Sequence, residues 1–557
     1  MPVHTLKAVF MVGADSPSVR LSIEAACQIA GIQPCAILLD TAKPSLPARM
    51  RNLRRNLRKE GLGYMPHRFA VAMSAATERA VERALPQGPV MAVLRLAFPG
   101  RCFDLTDVAE KYGMRLIRAG DLNGSVSRAA LKEIEADLGI VLGTRVLKRS
   151  TFGIPRLGCI NLHKGAVPGY RGMPPGFWEM YNGEKTAGVT VHFVDDSLDT
   201  GAIVATSVVP ILPLDTPDSL LAKLHIDGIT TLANGVSAIL SGSAMPIPQD
   251  RTGGKTRSKP TRAQVAELRR RLPHWYVPSP LRQILKNLLV LGIYYSGFYS
   301  FVKWRQRRQK SRAAVVLYHR VNDVSVDPLT TSLECFAAHM CVILKWYRPI
   351  ATSDLVRRVR NRETIAPTSV AVHFDDCYRD VYLNAFPILQ ACGLYGTAFV
   401  NSGFVDTDRV LTHDLANSPF RFENFMTGDL KAMVAADFEI GAHTVNHVDL
   451  GSCPLDQARG EIAESVKDLE RITGRAITLF SYPFGRETNI RAELRQTVAD
   501  AGCDCMFSAF GGFVDPATNA YDIPRICVSS GHTPLYLALQ IEGIDPNALM
   551  KKLLRVR

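Results

Sequence analysis

Continuous apolar runs alternate with segments of helical periodicity along the first 245 residues. Strands are predicted over residues 6–12, 34–39, 89–96, 138–142, 159–163 and 188–194. Helices are predicted over residues 18–30, 49–59, 105–112, 131–136 and 216–240. Apolar strands that alternate with helices are typical of a parallel sheet covered by helices on its faces. We therefore expect an open, parallel α/β sheet in this part of the chain.

The alternation stops near residue 242 and starts again near residue 313. Residues 242–271 are rich in Pro, Gly, Lys and Arg, and a helical segment is predicted there only from residue 261 onwards. Because 557 residues exceed what one hydrophobic core normally supports, several domains are expected. We predict two α/β domains joined by a basic, aromatic-rich helical linker, over residues 1–245, 313–557 and 246–312 respectively.

The net charge of +14 is concentrated in this linker. Residues 251–312 hold 16 of the 66 Lys and Arg but one acidic residue, Glu267, whereas the two domains are close to neutral. Residues 281–304 are apolar and aromatic, and their uncharged core of 16 residues is shorter than the ~20 that span a bilayer. Two interpretations stay open: an amphipathic helix on a membrane surface, or a helix packed on the second domain. RNA binding by the basic stretch is a third interpretation, and nucleic acid is not the partner we favour.

The twelve cysteines show no C-x-x-C pair and no regular spacing, which predicts scattered, reduced thiols. The N-terminal segment lacks the pattern of a secretory signal peptide, because Asp15 interrupts its apolar run. These features predict a cytoplasmic protein, with the inner membrane face as the place of any peripheral membrane contact.

Three polar residues lie at the ends of predicted strands in the segment 159–205. Asn161 and His163 are two residues apart on one strand, so their side chains point to the same face. Asp199 follows the next strand, so an amide, an imidazole and a carboxylate can meet at the edge of the sheet. This trio suits acyl transfer to an amine. The imidazole would take the amine's proton, the carboxylate would orient the imidazole, and the amide would donate to the oxyanion.

The ordered segments N-L-H, A-V-P-G-Y-R-G and S-L-D-T-G resemble the catalytic core of the 10-formyltetrahydrofolate-dependent formyltransferases. That family includes methionyl-tRNA formyltransferases and enzymes that formylate amino sugars, and the resemblance extends over about residues 5–240. It implies a Rossmann-like fold, catalytic roles for Asn161, His163 and Asp199, and 10-formyltetrahydrofolate as the cosubstrate. Folate-binding positions are expected at Val167, Pro168 and Gly169.

Two adjacent carboxylates follow a second predicted buried strand at residues 370–374. Asp375 and Asp376 repel each other unless a cation or a proton lies between them. Further along, His443 and His447 are four residues apart, so one helical turn would place both imidazoles on one face. Two imidazoles and a carboxylate can hold a divalent metal and leave positions open for water and substrate.

The segments F-D-D-C, H-T-V-N-H and S-Y-P-F-G, in this order, resemble the polysaccharide deacetylases of the NodB-homology type. The resemblance covers about residues 313–535 and implies a distorted (β/α) barrel. It implies that Asp376, His443 and His447 bind a divalent metal, expected to be zinc, and that Asp375 is the general base. The groups expected to bind substrate or stabilise the oxyanion are Tyr482 and His532.

Two positions depart from the pattern of that family. The glycine expected after the paired aspartates is Cys377, and the arginine expected two residues before the motif proline is Ser481. A further imidazole, His319 in Y-H-R-V, is expected to be structural or to line a groove.

Together these patterns predict a two-enzyme chain that acts on amino-sugar nitrogens. The first domain would transfer a formyl group, and the second would remove an acetyl or formyl group by metal-dependent hydrolysis. The basic, aromatic residues 281–312 suggest a lipid-linked sugar at the inner membrane face. Two alternatives stay open: formylation of charged tRNA, and a domain that has lost catalysis and only binds. Methionyl-tRNA formyltransferases carry a small β-barrel after the catalytic domain, and the missing strand pattern after residue 242 favours an amino sugar.

Overall fold

The computed structural model describes residues 5–86, 88–250, 253–275, 279–308, 311–324 and 327–554. Its internal contacts divide the chain into two compact units. The first unit comprises residues 1–65 and 100–277, and the second comprises residues 66–99 and 278–557. A segment of the N-terminal hundred residues therefore belongs to the second unit.

The first unit is built on one main sheet of seven strands and a separate pair of short strands. The strands of the unit are β1 (Leu6–Val12), β2 (Ile32–Asp40), β3 (Arg115–Gly120), β4 (Leu138–Leu142), β5 (Cys159–His163), β6 (Tyr170–Gly172), β7 (Thr186–Phe193), β8 (Ile203–Pro210) and β9 (Lys255–Arg257). The order in the sheet is β3-β2-β1-β4-β5-β7-β8. The strands from β3 to β5 are parallel, whereas β7 and β8 are antiparallel to their neighbours. The short strands β6 and β9 pair with each other.

Helices cover both faces of this sheet. The helices of the first 275 residues are α1 (Pro17–Cys27), α2 (Leu46–Glu60), α3 (Tyr64–Ala84), α4 (Val90–Ala97), α5 (Leu105–Lys111), α6 (Ser125–Ile134), α7 (Arg149–Phe152), α8 (Phe177–Asn182), α9 (Pro217–Leu240) and α10 (Arg262–Arg271). On one face, Ile23, Leu105 and Leu224 pack against the sheet, and on the other face Leu131 does. The core therefore lies on both sides of the sheet, which confirms the predicted Rossmann-like architecture.

Three local predictions in this region were wrong or incomplete. Residues 89–96, predicted as a strand, form helix α4, and they belong to the second unit. A continuous apolar run of this length cannot be told from a buried helix by periodicity alone. Helix α6 begins six residues before the predicted residue 131, and strand β3 was not predicted, because Arg115 and Arg118 interrupt its apolar pattern.

The second unit contains a sheet of eight short parallel strands. The strands of this unit are β10 (Ala313–Tyr318), β11 (Arg320–Val321), β12 (Thr330–Thr331), β13 (Arg348–Pro349), β14 (Ser369–Phe374), β15 (Thr397–Val400), β16 (Glu439–Ala442), β17 (Leu479–Ser481), β18 (Cys505–Phe507) and β19 (Ile526–Cys527). The strand order in the sheet is β18-β17-β16-β15-β14-β10-β19, and β13 also pairs with β14. Within the described residues it does not close between β18 and β19, as expected for a distorted (β/α) barrel.

Helices surround this sheet. Those that follow residue 278 are α11 (Pro280–Tyr295), α12 (Phe298–Arg308), α13 (Leu333–Trp346), α14 (Thr352–Arg360), α15 (Phe386–Cys392), α16 (Thr412–Asn417), α17 (Thr427–Ala435), α18 (Leu455–Thr473), α19 (Leu494–Asp500), α20 (Pro534–Ile541) and α21 (Pro546–Leu554). Helices α3 and α4 join them: α4 packs on α13 and α15, and the buried Asn287 of α11 donates to Thr77 of α3 at 3.1 Å.

The aromatic segment at residues 281–304 forms two helices rather than one. Helices α11 and α12 are separated at Gly297, whose φ of 82° ends the first helix. Val290 and Ile293 are buried in the second unit, and the ammonium of Lys303 lies 4.1 Å from the centre of the Trp346 ring. The packed-helix interpretation therefore holds for one face of the segment. No helix among the described residues is both long and apolar enough to cross a bilayer.

The predicted domain boundaries at residues 245 and 312 stay predictions. Of the predicted linker, residues 253–275 belong to the first unit and residues 279–308 to the second. Its residues 251–252, 276–278 and 309–310 lie outside the described residues. All twelve cysteines are described, and none forms a disulfide.

Two candidate active sites

Asn161, His163 and Asp199 meet at one edge of the first sheet. Asn161 and His163 lie on β5, and Asp199 lies in the turn between β7 and β8 with a φ of 55°. One carboxylate oxygen of Asp199 is 3.5 Å from His163 Nδ1, and the other is 3.5 Å from Asn161 Nδ2. The structure therefore brings the three predicted residues together, and their catalytic roles stay predictions.

Strand β6 holds two members of this trio in place. His163 Nε2 donates to the carbonyl of Tyr170 at 2.8 Å, and the Gly172 N–H donates to Asp199 at 3.0 Å. Because a carbonyl can only accept, Nε2 carries the ring proton, and Nδ1 is the nitrogen that can take a second proton. The ring lies close to the backbone, since a Cβ at Gly165 would come within 2.6 Å of His163 Nε2.

The charge state of the first site suits a general base. Burial lowers the pKa of His163 below its usual 6.5, although the carboxylate of Asp199 acts in the opposite direction. Burial alone would raise the pKa of Asp199, but its contacts with His192 and His163 hold that pKa below the usual value. At neutral pH a neutral imidazole therefore lies beside an ionised carboxylate, which stabilises the imidazolium that forms when a proton is taken.

His192 is a further residue of this site, one that the sequence motifs did not indicate. His192 is the antiparallel cross-strand partner of Asn161 and is buried. Its Nδ1 donates to the carbonyl of Phe193 at 2.7 Å, so its Nε2 can accept from Asn161 Nδ2, at 3.2 Å. His192 therefore orients the amide group on which the predicted oxyanion contact depends. A histidine inside the apolar run T-V-H-F-V was the available signal.

The predicted folate-binding residues lie in the loop between β5 and β6. The Val167 N–H faces the hydroxyl of Thr190 at 3.4 Å, and Thr190 is the cross-strand partner of His163. Pro168 and Gly169 follow directly, and the peptide bond before Pro168 is cis. The loop is therefore anchored beside His163, and its role in binding folate stays a prediction.

At the second site, Asp375 is paired with an arginine that the sequence analysis missed. Arg525, which directly precedes β19, donates to both carboxylate oxygens of Asp375, at 2.7 and 2.6 Å. It also donates to the hydroxyl of Ser481 at 2.7 Å. Burial would raise the pKa of Asp375, but the guanidinium of Arg525 holds that pKa below its usual value. An arginine from a distant segment thus occupies the place next to Ser481, where the family pattern has its own arginine.

Asp376 lies at the centre of the second site. Its Oδ1 is 3.6 Å from His443 Nε2 and 3.1 Å from His447 Nε2. The remaining oxygen, Oδ2, is buried and has no hydrogen-bond partner within the described chain. The structure therefore brings the imidazoles of His443 and His447 to the same carboxylate oxygen of Asp376, and the roles of the three residues as ligands stay predictions.

The residues of this cluster fit a divalent cation. His443 Nδ1 donates to the carbonyl of Ser481 at 2.8 Å, so its Nε2 presents a lone pair towards the Asp376 carboxylate. Burial lowers the pKa of His443 to about 4, which keeps the ring neutral at neutral pH. A lone pair facing a carboxylate oxygen is repulsive unless a cation or a proton lies between them, and a ring whose other nitrogen donates to a carbonyl is typical of a metal-binding histidine.

The prediction that His443 and His447 share one helical turn was wrong. Both lie in the loop that follows β16, where Thr444 and His447 have positive φ angles of 65° and 55°. The imidazoles are brought together by this turn of the backbone instead, with ring centres 5.2 Å apart. Asp376 also has a positive φ, 74°, whereas Cys377 does not, so a side chain at position 377 causes no backbone strain.

Neither Tyr482 nor His532 joins this cluster through its described hydrogen bonds. The hydroxyl of Tyr482 reaches the carbonyl of Arg491 at 3.4 Å. The His532 ring stacks on the Tyr536 ring, with ring centres 4.3 Å apart. The backbone carbonyl of His532 accepts a hydrogen bond from His339 Nε2 at 2.8 Å. Burial lowers the pKa of His532 to about 3. Their roles as substrate-binding or oxyanion groups stay predictions.

His319 lies within the electrostatic influence of the paired aspartates. Burial lowers the pKa of His319, and the charges of Asp376 and Asp375 oppose that shift. Its Nδ1 is buried and has no hydrogen-bond partner in the described part of the chain. The expected role of His319, structural or groove-lining, stays a prediction.

Two family models match the chain. The model described as "Formyl transferase" matches residues 98–234, and the model described as "Polysaccharide deacetylase" matches residues 362–506. Both matches confirm the resemblances found in the sequence motifs, and the match at residues 98–234 begins at the end of the segment 66–99 that belongs to the second unit.

Individual relatives cover one domain at a time. The methionyl-tRNA formyltransferase of Flavobacterium johnsoniae is 35% identical over 147 residues, which are 26% of this chain and 47% of that protein. The chain thus spans about half the length of the curated relatives it matches. The Streptococcus pyogenes deacetylase PplD in complex with acetate is 20% identical, with a TM-score of 0.36, over 42% of this chain and 99% of that chain. The N-formyltransferase from Helicobacter canadensis, in complex with folinic acid and dTDP-3-aminofucose, is 15% identical, with a TM-score of 0.29, over 47% of this chain and 72% of that chain.

Proposed function

We propose that this chain, which joins a formyltransferase domain to a polysaccharide deacetylase domain, is a bifunctional enzyme that acts on sugar nitrogens. The first domain transfers a formyl group from 10-formyltetrahydrofolate to the amine of an amino sugar. The second domain hydrolyses an N-acetyl or N-formyl group from a sugar. The two reactions are chemically linked, because hydrolysis exposes the kind of amine that formylation consumes.

At the first site, the amine nitrogen of the sugar attacks the formyl carbon of the cosubstrate. A new C–N bond forms, the bond from the formyl carbon to the folate nitrogen breaks, and that nitrogen leaves with a proton. His163 takes the proton of the amine at Nδ1, where Asp199 stabilises the resulting imidazolium. Asn161, oriented by His192, donates to the oxyanion of the tetrahedral intermediate.

At the second site, a water oxygen attacks the amide carbon and the C–N bond of the amide breaks, which gives a free amine and a short carboxylic acid. A divalent metal, which we expect to be zinc, would be held by Asp376, His443 and His447 and would polarise the amide oxygen and the water. Asp375, kept ionised by Arg525, is positioned as the base that takes the proton of the water. The proton that Asp375 takes from the water then passes to the leaving amine nitrogen.

The observation that carries this proposal is the convergence of two separate polar clusters, each suited to one C–N bond. The test is incubation of the full-length protein with formyl-folate and candidate amino sugars or N-acyl sugars, read by mass spectrometry. We expect the first site to give a sugar whose mass is increased by one CO. We expect the second site to give a sugar that has lost its acyl group.

Matched variants separate the two activities. His163→Gln should strongly slow formylation alone, and His443→Gln should abolish acyl loss together with stoichiometric divalent metal. If a metal-replete protein releases no acyl group from any N-acyl sugar, the second domain binds rather than hydrolyses. A His443→Gln protein that keeps both its metal and its activity would overturn the proposed site.

Charged tRNA is a second candidate acceptor at the first site. The observation that favours it is the set of curated relatives, which are methionyl-tRNA formyltransferases. Against it, residues 253–275 form one short strand and one helix, and residues 279–308 are helical. A competition assay with charged initiator tRNA and amino sugars decides between the two acceptors, since formyl transfer to tRNA alone would replace the sugar in this proposal.

We further propose that the exposed face of α11 and α12 contacts the cytoplasmic leaflet, where a lipid-linked sugar would be presented. Large apolar side chains are exposed along this face at Leu281, Leu285, Leu288, Tyr295, Phe298, Phe301 and Trp304. Three exposed arginines flank them at the end of α12, which favours anionic lipids. Flotation with anionic and with neutral vesicles tests this contact. Binding to neither kind of vesicle at low salt would exclude it.

A further inference from the structure

A third histidine lies at the second site, on an element that the sequence motifs did not connect with it. His413 is the second residue of α16, and its Nε2 is 3.7 Å from Asp376 Oδ2. One ligand atom from each of Asp376, His413 and His447 lies within 4.8 Å of the other two, close enough to hold a single ion. We infer that His413 is a further, displaceable metal ligand, an inference that rests on the proposed metal-dependent deacylation.

The two oxygens of Asp376 face different histidines. His443 and His447 approach Oδ1, whereas His413 approaches Oδ2. Oδ2 is the buried oxygen that has no hydrogen-bond partner among the described residues. Leaving a buried carboxylate oxygen without a partner is costly. A cation shared between Oδ2 and His413 would remove that cost, and no other group contacts this oxygen as a described ion pair or hydrogen bond.

A buried polar network holds His413 beside the site. The hydroxyl of Tyr378 lies 2.9 Å from His413 Nε2 and donates to Asp414 at 2.7 Å. Arg320 donates to Asp414 at 2.6 Å and to the hydroxyl of Tyr378 at 3.0 Å. The network is buried except at His413 itself, and it holds the imidazole next to Asp376. Because Tyr378 contacts Nε2, the nitrogen that faces Asp376, the network also competes with an ion for that nitrogen.

The same nitrogen of His413 can serve Tyr378 or the ion, but not both. The single proton of the Tyr378 hydroxyl goes to Asp414, because a carboxylate only accepts, so His413 Nε2 donates to the hydroxyl oxygen. Ligation requires the other tautomer, with the proton on Nδ1 and the lone pair on Nε2. The change moves a proton within the ring and needs no net protonation.

This competition explains how a fourth protein ligand is compatible with hydrolysis. Four protein ligands close a tetrahedral site, whereas a catalytic site keeps a position open for water or substrate. His413 can fill that position in the resting enzyme and return to Tyr378 when substrate arrives. A set of imidazoles and one carboxylate favours Zn²⁺ or Co²⁺ over Mg²⁺ or Ca²⁺, which prefer oxygen ligands.

The test is a titration of the chelator-treated full-length protein with Co²⁺, monitored by the ligand-field absorption of the bound ion. Zn²⁺ is then added to displace the bound Co²⁺. We expect His413→Gln to weaken Co²⁺ binding by about tenfold or more and to change the absorption bands. We expect Tyr378→Phe, which removes the competing hydroxyl, to bind Co²⁺ more tightly than the wild type. A gain in affinity cannot result from misfolding, so this second variant keeps the test informative if the first is unstable.

His67→Gln is the matched control, since it removes an imidazole from α3 in the same unit and should leave both readouts unchanged. If His413→Gln keeps the wild-type affinity and spectrum, the inference about His413 is wrong while the metal-dependent deacylation stands. If Tyr378→Phe binds Co²⁺ more weakly than the wild type, the competition with the hydroxyl is wrong. If the wild type binds neither Co²⁺ nor Zn²⁺, both the inference and the proposed deacylation fail.

Discussion

The two candidate sites place their side chains by different backbone devices. In the first, the antiparallel register of β5 and β7 sets Asn161 opposite His192. In the second, Asp376 and His447 lie in loops after parallel strands, each with a positive φ. A strand register is fixed by many apolar residues at once, whereas a loop site depends on a few contacts that hold an unfavourable backbone conformation.

The buried charges differ in the same way. At the first site, histidines and a backbone N–H surround Asp199. At the second, Asp375 depends on Arg525 and Asp414 depends on Arg320, and these four side chains are all buried. The comparison indicates that polar substitutions at the first site should affect mainly activity. Substitutions at the second should affect stability as well, because they leave a buried charge unpaired.

The largest expected effect tests the first half of this comparison. His163→Gln removes the proton acceptor but keeps a polar side chain of similar size. Formyl transfer should fall by about 10²- to 10⁴-fold, the usual range for loss of a general base. Steady-state kinetics of formylation measure the loss, and acyl hydrolysis by the same preparation is the control. An equal loss of both activities would mean that the substitution acts through the fold.

Arg525→Met tests the second half. The substitution leaves the buried carboxylate of Asp375 without its ionic partner, so the free energy of unfolding should fall by about 3–5 kcal/mol. Chemical denaturation of the full-length protein measures the change. Arg459→Met is the control, because its ion pair with Asp456 is exposed and should contribute less than about 1 kcal/mol. Equal effects of the two substitutions would contradict the dependence of this site on buried charge.

A smaller effect is expected from His192→Phe. The phenyl ring cannot accept from Asn161 Nδ2, so the amide loses its fixed orientation and formyl transfer should fall by about 10- to 100-fold. His192→Gln offers a carbonyl oxygen that can accept the same hydrogen bond and should restore part of the rate. A glutamine variant as slow as the phenylalanine variant would assign His192 a role other than positioning Asn161.

The smallest expected effect is a shift in pH dependence. Burial places the pKa of His163 below 6.5, so formyl transfer should lose activity on the acid side only below that pH. The anionic Asp199 favours the imidazolium and raises the pKa of His163. Asp199→Asn should therefore move the acid limb of the residual activity to lower pH. A profile of kcat/KM against pH measures this, and a shift to higher pH would contradict the assigned interaction.

Much of each site could be predicted because its residues follow short strands in recognisable segments. Asn161 and His163 lie in the second half of a predicted strand, and Asp375 and Asp376 directly follow another, so their position at a sheet edge followed from the apolar pattern. The geometry of H-T-V-N-H was predicted wrongly, since helical spacing is indistinguishable from a loop with two left-handed residues.

The chain's sequence determined the two α/β regions, the order of most strands, and the residue types gathered at each strand end, because apolar periodicity and local turn chemistry are encoded over a few neighbouring positions. Only the tertiary structure decided that Arg525 pairs with Asp375 from 150 positions away, and that residues 66–99 pack with the second unit. Such contacts depend on which strands become neighbours and on desolvation of whole side chains. A buried charge selects its partner only after the surrounding core has excluded water.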